Sequence, residues 1–138
     1  MPDQSGRSRD DPFTLRRTVE PGHLDENRHV NNVVYLQWVQ DAAIAHWRTI
    51  APASALAEIA WVARRHEIDY DRPAKLGDEL TLATWVGRAE GLTFERFVEI
   101  RQADGRVAAR ARTLWVPVDP GSGRPKRVGA EVRELFSV

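Results

Sequence analysis

The chain has 138 residues, which suits a single domain that can fold without disulfides or a structural metal ion. Its 20 basic and 20 acidic residues give no net charge and form no dense run of one sign, which argues against nucleic acid as a partner. It has no cysteine, which excludes disulfides, thiolate metal sites and cysteine nucleophiles.

The first segment, residues 1–12, is polar and charged and has no apolar surface to bury. We predict a flexible N-terminal tail over 1–12 and a single domain over 13–138. The tail lacks the apolar stretch of a secretory signal, and no later segment approaches the roughly 20 apolar residues of a membrane span. We therefore expect a cytoplasmic protein with no membrane partner.

Ordered structure is predicted to begin with a strand at 13–20, where apolar and polar residues alternate loosely. Pro21 and Gly22 end that strand, because both residues favour turns. A loop follows at 23–31. It is rich in side chains that can take part in chemistry, and it leads directly into the next element.

A long helix is predicted from Asn32 to about Ile50, where apolar residues cover almost the whole circumference and leave only a narrow polar stripe. Asn31 or Asn32 is a good N-cap, and Pro52 marks the end or a kink. A second short helical piece is predicted at 53–59. A helix this apolar requires other structure around it.

The rest of the chain is predicted to form strands, because β-branched and aromatic residues alternate with turn signals. The strands are expected at 62–70, 79–87, 92–102 and 106–118, with a short terminal helix at 128–136. One strand, one long helix and four further strands describe an α+β domain in which a five-stranded antiparallel sheet wraps around the helix. One face and the edges of that sheet need cover, and self-association supplies it most simply.

The loop that enters the helix holds the densest group of reactive side chains. Unpaired backbone N–H groups and the dipole at a helix start favour an oxygen that gains negative charge. Asp25 precedes the start of the helix at Asn32 by seven residues, so its carboxylate can face a carbonyl held there. Because a thiolate leaves readily, these two features favour thioester hydrolysis as the reaction. Asp25 would attack directly or activate a water, and the sequence leaves both open.

The same loop resembles the active-site segment of hot-dog thioesterases. The matching run is Asp25-x-Asn27-x-His29-Val30-Asn31-Asn32-x-x-Tyr35-x-x-Trp38. It looks most like the plant acyl-ACP thioesterases, and it is also similar to the 4-hydroxybenzoyl-CoA thioesterase group of bacterial acyl-CoA thioesterases. A second run is similar to the family's second-strand and turn signature: Ile68-Asp69-Tyr70-Asp71-Arg72-Pro73-Ala74-x-x-Gly77-Asp78. The resemblance extends over about residues 13–118.

The resemblance implies the hot-dog fold and hydrolysis of an acyl thioester to a free acid and a thiol. It makes Asp25 the nucleophile or general base, with Asn27 and His29 holding the reacting group or the water. The substrate would be an acyl-CoA or an acyl-ACP, with no bound cofactor or metal. Two subunits would join their sheets edge to edge as a homodimer, or pair again as a homotetramer, with the acyl chain in a pocket at the dimer interface.

Three further residues are implied to contact the substrate. The backbone N–H near Asn32 would polarise the thioester carbonyl, and Tyr35 occupies the position of a tyrosine in the bacterial acyl-CoA enzymes. Arg28 stands where those bacterial enzymes usually carry Gly, so it would alter the loop or place a cation beside the thioester. The length of the acyl chain, the choice of carrier and the basic residues that bind phosphate are left open.

Other interpretations of the same residues were weighed. His23, Asp25 and His29 are ordinary metal-ligand types, but their spacing fits no common site. His46 lies opposite the polar stripe of the helix, which predicts an interior or interface histidine. The main functional alternatives are an acyl-thioester hydratase or dehydratase of the same fold and a non-catalytic protein that binds acyl thioesters.

Overall fold

The computed structural model describes residues 5–135. Over these residues the elements are β1 Phe13–Thr18, α1 Asn32–Ile50, α2 Ala53–Glu58, β2 Ala60–Tyr70, β3 Glu79–Glu90, β4 Thr93–Arg101, β5 Val107–Val118 and α3 Ala130–Leu135. Every predicted helix and strand is present, with bounds that differ by a few residues. Phe136, which the prediction assigned to the terminal helix, lies outside the described residues.

The five strands form one antiparallel sheet in the order β1-β3-β4-β5-β2. Strands β1 and β2 are therefore its edges. Helix α1 packs on one face of the sheet, mainly against β1, β3 and β4. This arrangement confirms the predicted α+β fold class, in which the sheet curves around one long helix.

Helix α1 begins where an asparagine caps it. Asn31 is in an extended conformation, and its Oδ1 accepts a hydrogen bond from the backbone N–H of Val33 at 3.0 Å. Of the two predicted candidates, Asn31 is therefore the N-cap. The helix ends at Ile50, before Pro52, which lacks the N–H needed to continue it. Within residues 5–135 no helix is both long and apolar enough to cross a membrane.

The hydrophobic core lies between α1 and the inner face of the sheet. Tyr35, Trp38 and Val39 of the helix are buried there with apolar side chains of β3, β4 and β5. Within one chain, two apolar residues of the helix are left uncovered. Val33 is 71% exposed and Ile44 is 41% exposed, because the sheet covers only one side of α1.

The N-terminal segment lies against the domain from Ser5 onward. The ring of His46 contacts the carbonyl oxygen of Ser5 at 3.0 Å, and the carbonyl of Gly6 accepts the backbone N–H of Val86 at 3.1 Å. Gly6 is buried, because a residue without a side chain can pack directly on the His46 ring. The predicted boundary at residue 13 thus marks the start of β1 and not the first contact with the core. Flexibility of the tail stays a prediction.

Candidate active site

The loop before α1 folds back on itself. Leu24 and Val30 form an antiparallel bridge, and the N–H of Asn31 donates to the carbonyl of His23 at 2.9 Å. These two links close the loop at the point where the helix begins. Asp25 therefore lies within the closed loop that leads into α1, and its backbone N–H donates to the carbonyl of His29 at 2.8 Å.

One oxygen of the Asp25 carboxylate is fixed by the loop. Its Oδ1 accepts hydrogen bonds from the backbone N–H groups of Asn27 at 2.8 Å and His29 at 3.2 Å. No residue between 5 and 135 contacts its Oδ2 through a hydrogen bond or ion pair. The side chain is half-buried. The carboxylate thus has a defined orientation and one oxygen available for a substrate or water.

The first turn of α1 offers one backbone donor. The N–H of Val33 donates to the Asn31 side chain, and that of Val34 donates to the Asn31 carbonyl at 2.9 Å. The structure gives the N–H of Asn32 no acceptor among the described residues, and Asn32 is exposed. At the positive end of a 19-residue helix, that N–H is suited to bind an oxygen that becomes negative.

The other loop residues predicted to act lie around Asp25. Asn27 and Arg28 are exposed, and His29 is half-buried. The loop brings these residues together through their backbone, because the N–H groups of Asn27 and His29 both donate to Asp25 Oδ1. Arg28 has a φ of +62°, the left-handed conformation that glycine adopts without strain.

Tyr35 lies in the wall of the site and not on its surface. Its ring is 3% exposed, and its hydroxyl oxygen accepts the backbone N–H of Ala74 at 3.1 Å. Burial raises the pKa of this tyrosine, and the negative charges of Asp78 and Asp25 add to the effect, while the hydrogen bond from Ala74 opposes it. The hydroxyl thus holds the segment between β2 and β3 against the helix.

The residues weighed as metal ligands have other contacts in the structure. His23 Nδ1 accepts the backbone N–H of Glu20 at 2.9 Å, and its ring packs edge-on against Trp38. Within the described part of the chain, no three His, Cys, Asp or Glu residues are grouped so as to hold a metal ion. His23 is therefore a structural residue of the turn that follows β1.

A buried polar group lies further along the helix. His46 is fully buried, which confirms its prediction as an interior histidine. Arg96 Nη1 donates to His46 Nδ1 at 2.9 Å and to Thr84 Oγ1 at 3.1 Å. The sequence interpretation missed Arg96. The signal was its place in the alternation of β4, where Phe94, Arg96 and Val98 all face inward.

Comparison with known proteins identifies the family. The model of the thioesterase-like superfamily matches residues 19–136. The chain belongs to this superfamily. It is 28% identical over 119 residues to the long-chain acyl-CoA thioesterase FadM of Escherichia coli (strain K12), covering 81% of this chain and 87% of that protein.

Solved thioesterases share the fold. One from Thermus thermophilus, crystallised with coenzyme A and zinc, is 27% identical, with a TM-score of 0.79 over 91% of this chain and 97% of that chain. The dynemicin thioesterase is 21% identical, with a TM-score of 0.82 over 92% of this chain and 96% of that chain, and it supports the fold alone. These matches confirm the hot-dog fold and the predicted enzyme class: the chain is an acyl thioesterase.

Proposed function

We propose that this thioesterase hydrolyses acyl-CoA, with Asp25 as nucleophile or general base and the Asn32 N–H as the oxyanion donor. The carrier is supported by the relative named as an acyl-CoA thioesterase and by the similar structure that holds coenzyme A. Acyl-ACP is the alternative carrier. The cytoplasmic location stays a prediction.

The observation that carries the proposal is the junction between the loop and α1. Asp25 presents an oxygen without a protein partner, and Asn32 presents a backbone N–H without a protein acceptor among the described residues, both within the same closed loop and first helical turn. A thioester needs these two groups. A donor must bind the carbonyl oxygen, and a carboxylate must either attack the carbonyl carbon or activate the water that attacks it.

The reaction follows from these two groups. The carbonyl oxygen accepts the Asn32 N–H, and the negative charge that develops on it is stabilised by the positive end of α1. Either Asp25 attacks and forms a mixed anhydride that water then hydrolyses, or Asp25 takes a proton from the water that attacks. In both routes the thiolate leaves with little need for protonation, because a thiol has a pKa of roughly 8.5.

The neighbouring residues take supporting roles in this proposal. The backbone N–H groups of Asn27 and His29 orient Asp25, and their side chains flank the reacting group or water. The exposed guanidinium of Arg28 lies at the same loop tip, where it can meet a negative part of the substrate. Tyr35 acts by holding the wall of the site through Ala74.

We also propose that the protein forms a homodimer through the free edge of β2. This 11-residue strand pairs with β5 on one side only, and no described strand covers its other edge. Val62 is 51% exposed and Tyr70 is 45% exposed on this strand, and Val33 of α1 is 71% exposed. An uncovered long edge with apolar side chains favours pairing with a second copy. Sedimentation equilibrium tests the dimer, because it gives the mass of the species in solution. The same measurement distinguishes a homodimer from a homotetramer.

The catalytic proposal is tested by thiol release from a panel of acyl-CoA and acyl-ACP substrates. Because a positioned base contributes roughly 10²–10⁴ to the rate, Asp25→Asn should lower kcat/KM by about that factor. Glu26→Gln is the matched control, since Glu26 is an exposed carboxylate in the same loop, and it should change kcat/KM by less than about twofold. A loss of less than about tenfold in Asp25→Asn would contradict the role of Asp25.

A further inference from the structure

A groove crosses the outer face of the sheet, which is the face away from α1. Arg112 and Leu114 line the groove, and they alternate along β5 with Ala111 and Thr113, which are buried. Ala111 belongs to the core beneath α1, so the groove lies on the opposite side of the sheet from the helix. Its volume is about 710 Å³, which falls within the range of ligand pockets, roughly 300–1,000 Å³.

A β-bulge places two consecutive arginines in this groove. In the pairing of β2 with β5, Ala63 lies opposite Trp115 and Arg65 lies opposite Leu114, which leaves Arg64 as the extra residue. Consecutive residues of a regular strand point to opposite faces of the sheet. Arg64 and Arg65 nevertheless both line the groove, and both are exposed. The bulge therefore lets β2 contribute two positive charges to the same surface.

The groove carries more positive than negative charge. Four arginines and two glutamates line it. One of these glutamates, Glu95, accepts a hydrogen bond from Arg112. Glu67 lies beside the groove and pairs with Arg65 at 2.7 Å and with Arg112 at 3.4 Å. When Glu67 is counted as well, the four arginines still exceed the three glutamates by one.

Two of the four arginines have a guanidinium available for a ligand. The side chains of Arg64 and Arg88 form no hydrogen bond or ion pair with any residue from 5 to 135, although the charge of Arg88 acts on Glu95 at longer range. The hydroxyl of Thr93 lines the same groove and adds a donor. Guanidinium groups bind phosphate through paired, charge-assisted hydrogen bonds. These side chains therefore favour a phosphorylated ligand.

The spacing of the two arginines limits the kind of ligand. Arg64 is on β2 and Arg88 is on β3, and the sheet order places these strands three spacings apart, about 14 Å. An anion with a single charged group would meet one of them. A ligand that contacts both needs phosphate groups at two separate positions.

We propose that this groove binds a nucleotide with phosphate groups at two positions, one on Arg64 and the other on Arg88. Two sources present this chemistry. One is the nucleotide part of coenzyme A, which carries a phosphate on its ribose and a pyrophosphate at the other end. The other is a free nucleotide. Only the first source rests on the proposed thioesterase function and its dimer.

The proposed dimer places this groove near the active site of the other copy. Twofold pairing of β2 that keeps both α1 helices on one face of the joined sheet is antiparallel, so β2 of one copy begins where β2 of the other ends. The groove reaches the hairpin between β3 and β4, at the end of the sheet where β2 begins. Tyr70, at the end of β2, donates to the carbonyl of Asn32 at 3.5 Å. The groove of one copy and the Asp25 loop of the other thus share one end of the joined sheet.

The first arm of the test measures binding of adenosine 3′,5′-bisphosphate and of adenosine by calorimetry. The bisphosphate should bind, and adenosine should bind at least about tenfold more weakly, because it has no charge for the arginines. Arg64→Met and Arg88→Met should each weaken the bisphosphate about tenfold. Arg16→Met is the matched control and should have no effect, because Arg16 is an exposed arginine of β1 that does not line the groove.

The second arm distinguishes the two sources of the nucleotide. It compares an acyl-CoA with the same acyl group on pantetheine, which lacks the nucleotide. If coenzyme A is the source, Arg64→Met should raise KM for acyl-CoA about tenfold, with kcat unchanged, and should leave acyl-pantetheine unaffected. An unchanged KM for acyl-CoA, with bisphosphate binding still dependent on Arg64, assigns the groove to a free nucleotide.

Mixed dimers test which copy the groove serves. If Asp25→Asn and Arg64→Met chains are co-expressed, a groove that serves the other copy puts both defects at one site of a mixed dimer and leaves the other site intact. Equal amounts of the two chains should then give about a quarter of the sites with wild-type kinetics for acyl-CoA. If each groove serves its own copy, every site carries a defect, and that result would contradict the placement.

The proposal is overturned if adenosine binds as tightly as the bisphosphate, or if Arg64→Met and Arg88→Met behave like Arg16→Met. Failure of the thioesterase proposal has a different signature. In that case Asp25→Asn would leave thiol release unchanged, while binding of the bisphosphate would still depend on Arg64.

Discussion

The environment of His46 makes the stability of the protein depend on pH. Its Nδ1 must accept, because Arg96 can only donate, so Nε2 carries the proton and donates to the carbonyl of Ser5. Protonation of Nδ1 would bury a second positive charge beside the guanidinium. Burial, followed by the charge of Arg96, lowers the pKa of His46 to about 4, and the hydrogen bond to Ser5 only partly opposes this.

The sign and size of the effect follow from linkage. Well above pH 6.5 His46 is neutral in both the folded and the unfolded protein, so it contributes no pH dependence there. As the pH falls from about 6.5 to about 4, the unfolded chain binds a proton that the folded protein excludes, and the free energy of unfolding decreases. The full difference between these pKa values corresponds to about 3 kcal/mol, and about 2 kcal/mol of it is lost by pH 5.

The assay is urea unfolding of the wild type and of His46→Gln at about pH 7.5 and about pH 5. Between these two pH values the wild type should lose about 2 kcal/mol more than the variant, because glutamine does not titrate. Burial also lowers the pKa of His66, but His66 is present in both proteins and its contribution cancels. Equal pH dependence in the two proteins would refute the buried, neutral state of His46.

Two backbone predictions concern positions with a positive φ. Arg28→Gly should stabilise the protein by about 0.5–1 kcal/mol in thermal unfolding, because glycine adopts a φ of +62° without strain. Arg28→Ala should give no such gain, because alanine keeps the Cβ. Equal effects of the two substitutions would contradict strain as the cause. Gly6→Ala should cost more stability than Gly77→Ala, by about 1 kcal/mol or more. Both glycines have a positive φ, but a Cβ at Gly6 would overlap the His46 ring, while the space at Gly77 is open. Similar losses at the two sites would show that the N-terminal segment does not pack on His46.

Much of the fold could be predicted, because periodicity and turn residues act locally. The apolar run of α1 and its start at Asn31 are both readable from the sequence. The end of β3 could not be predicted from the sequence. The prediction stopped this strand at Gly87, but β3 continues to Glu90 through a bulge after Val86, where the Glu95 side chain occupies the space that a Cβ on Gly87 would fill. Such a bulge depends on the partner strand, which a local pattern does not contain.

In the candidate site, too, the local features were predictable from the sequence and the long-range contacts were not. The loop motif predicted that Asp25 lies at the helix start, because the residues that close the loop are near one another in sequence. It did not predict which carboxylate oxygen is held or that the Asn32 N–H lacks an acceptor within the described part of the chain. The contacts of Arg96 with His46 and of Gly6 with the same ring join segments 50 and 40 residues apart. Long-range pairing of this kind becomes visible only when the sheet order and the helix position are known.

The most direct test of the central claim is a crystal structure of Asp25→Asn with a bound acyl-CoA. The proposal predicts that the thioester carbonyl oxygen lies about 3 Å from the Asn32 nitrogen, and that the carbonyl carbon lies about 3–3.5 Å from the side chain at position 25. A thioester bound away from the start of α1, with its carbonyl oxygen held by other groups, would contradict the assignment of this loop and helix start as the active site.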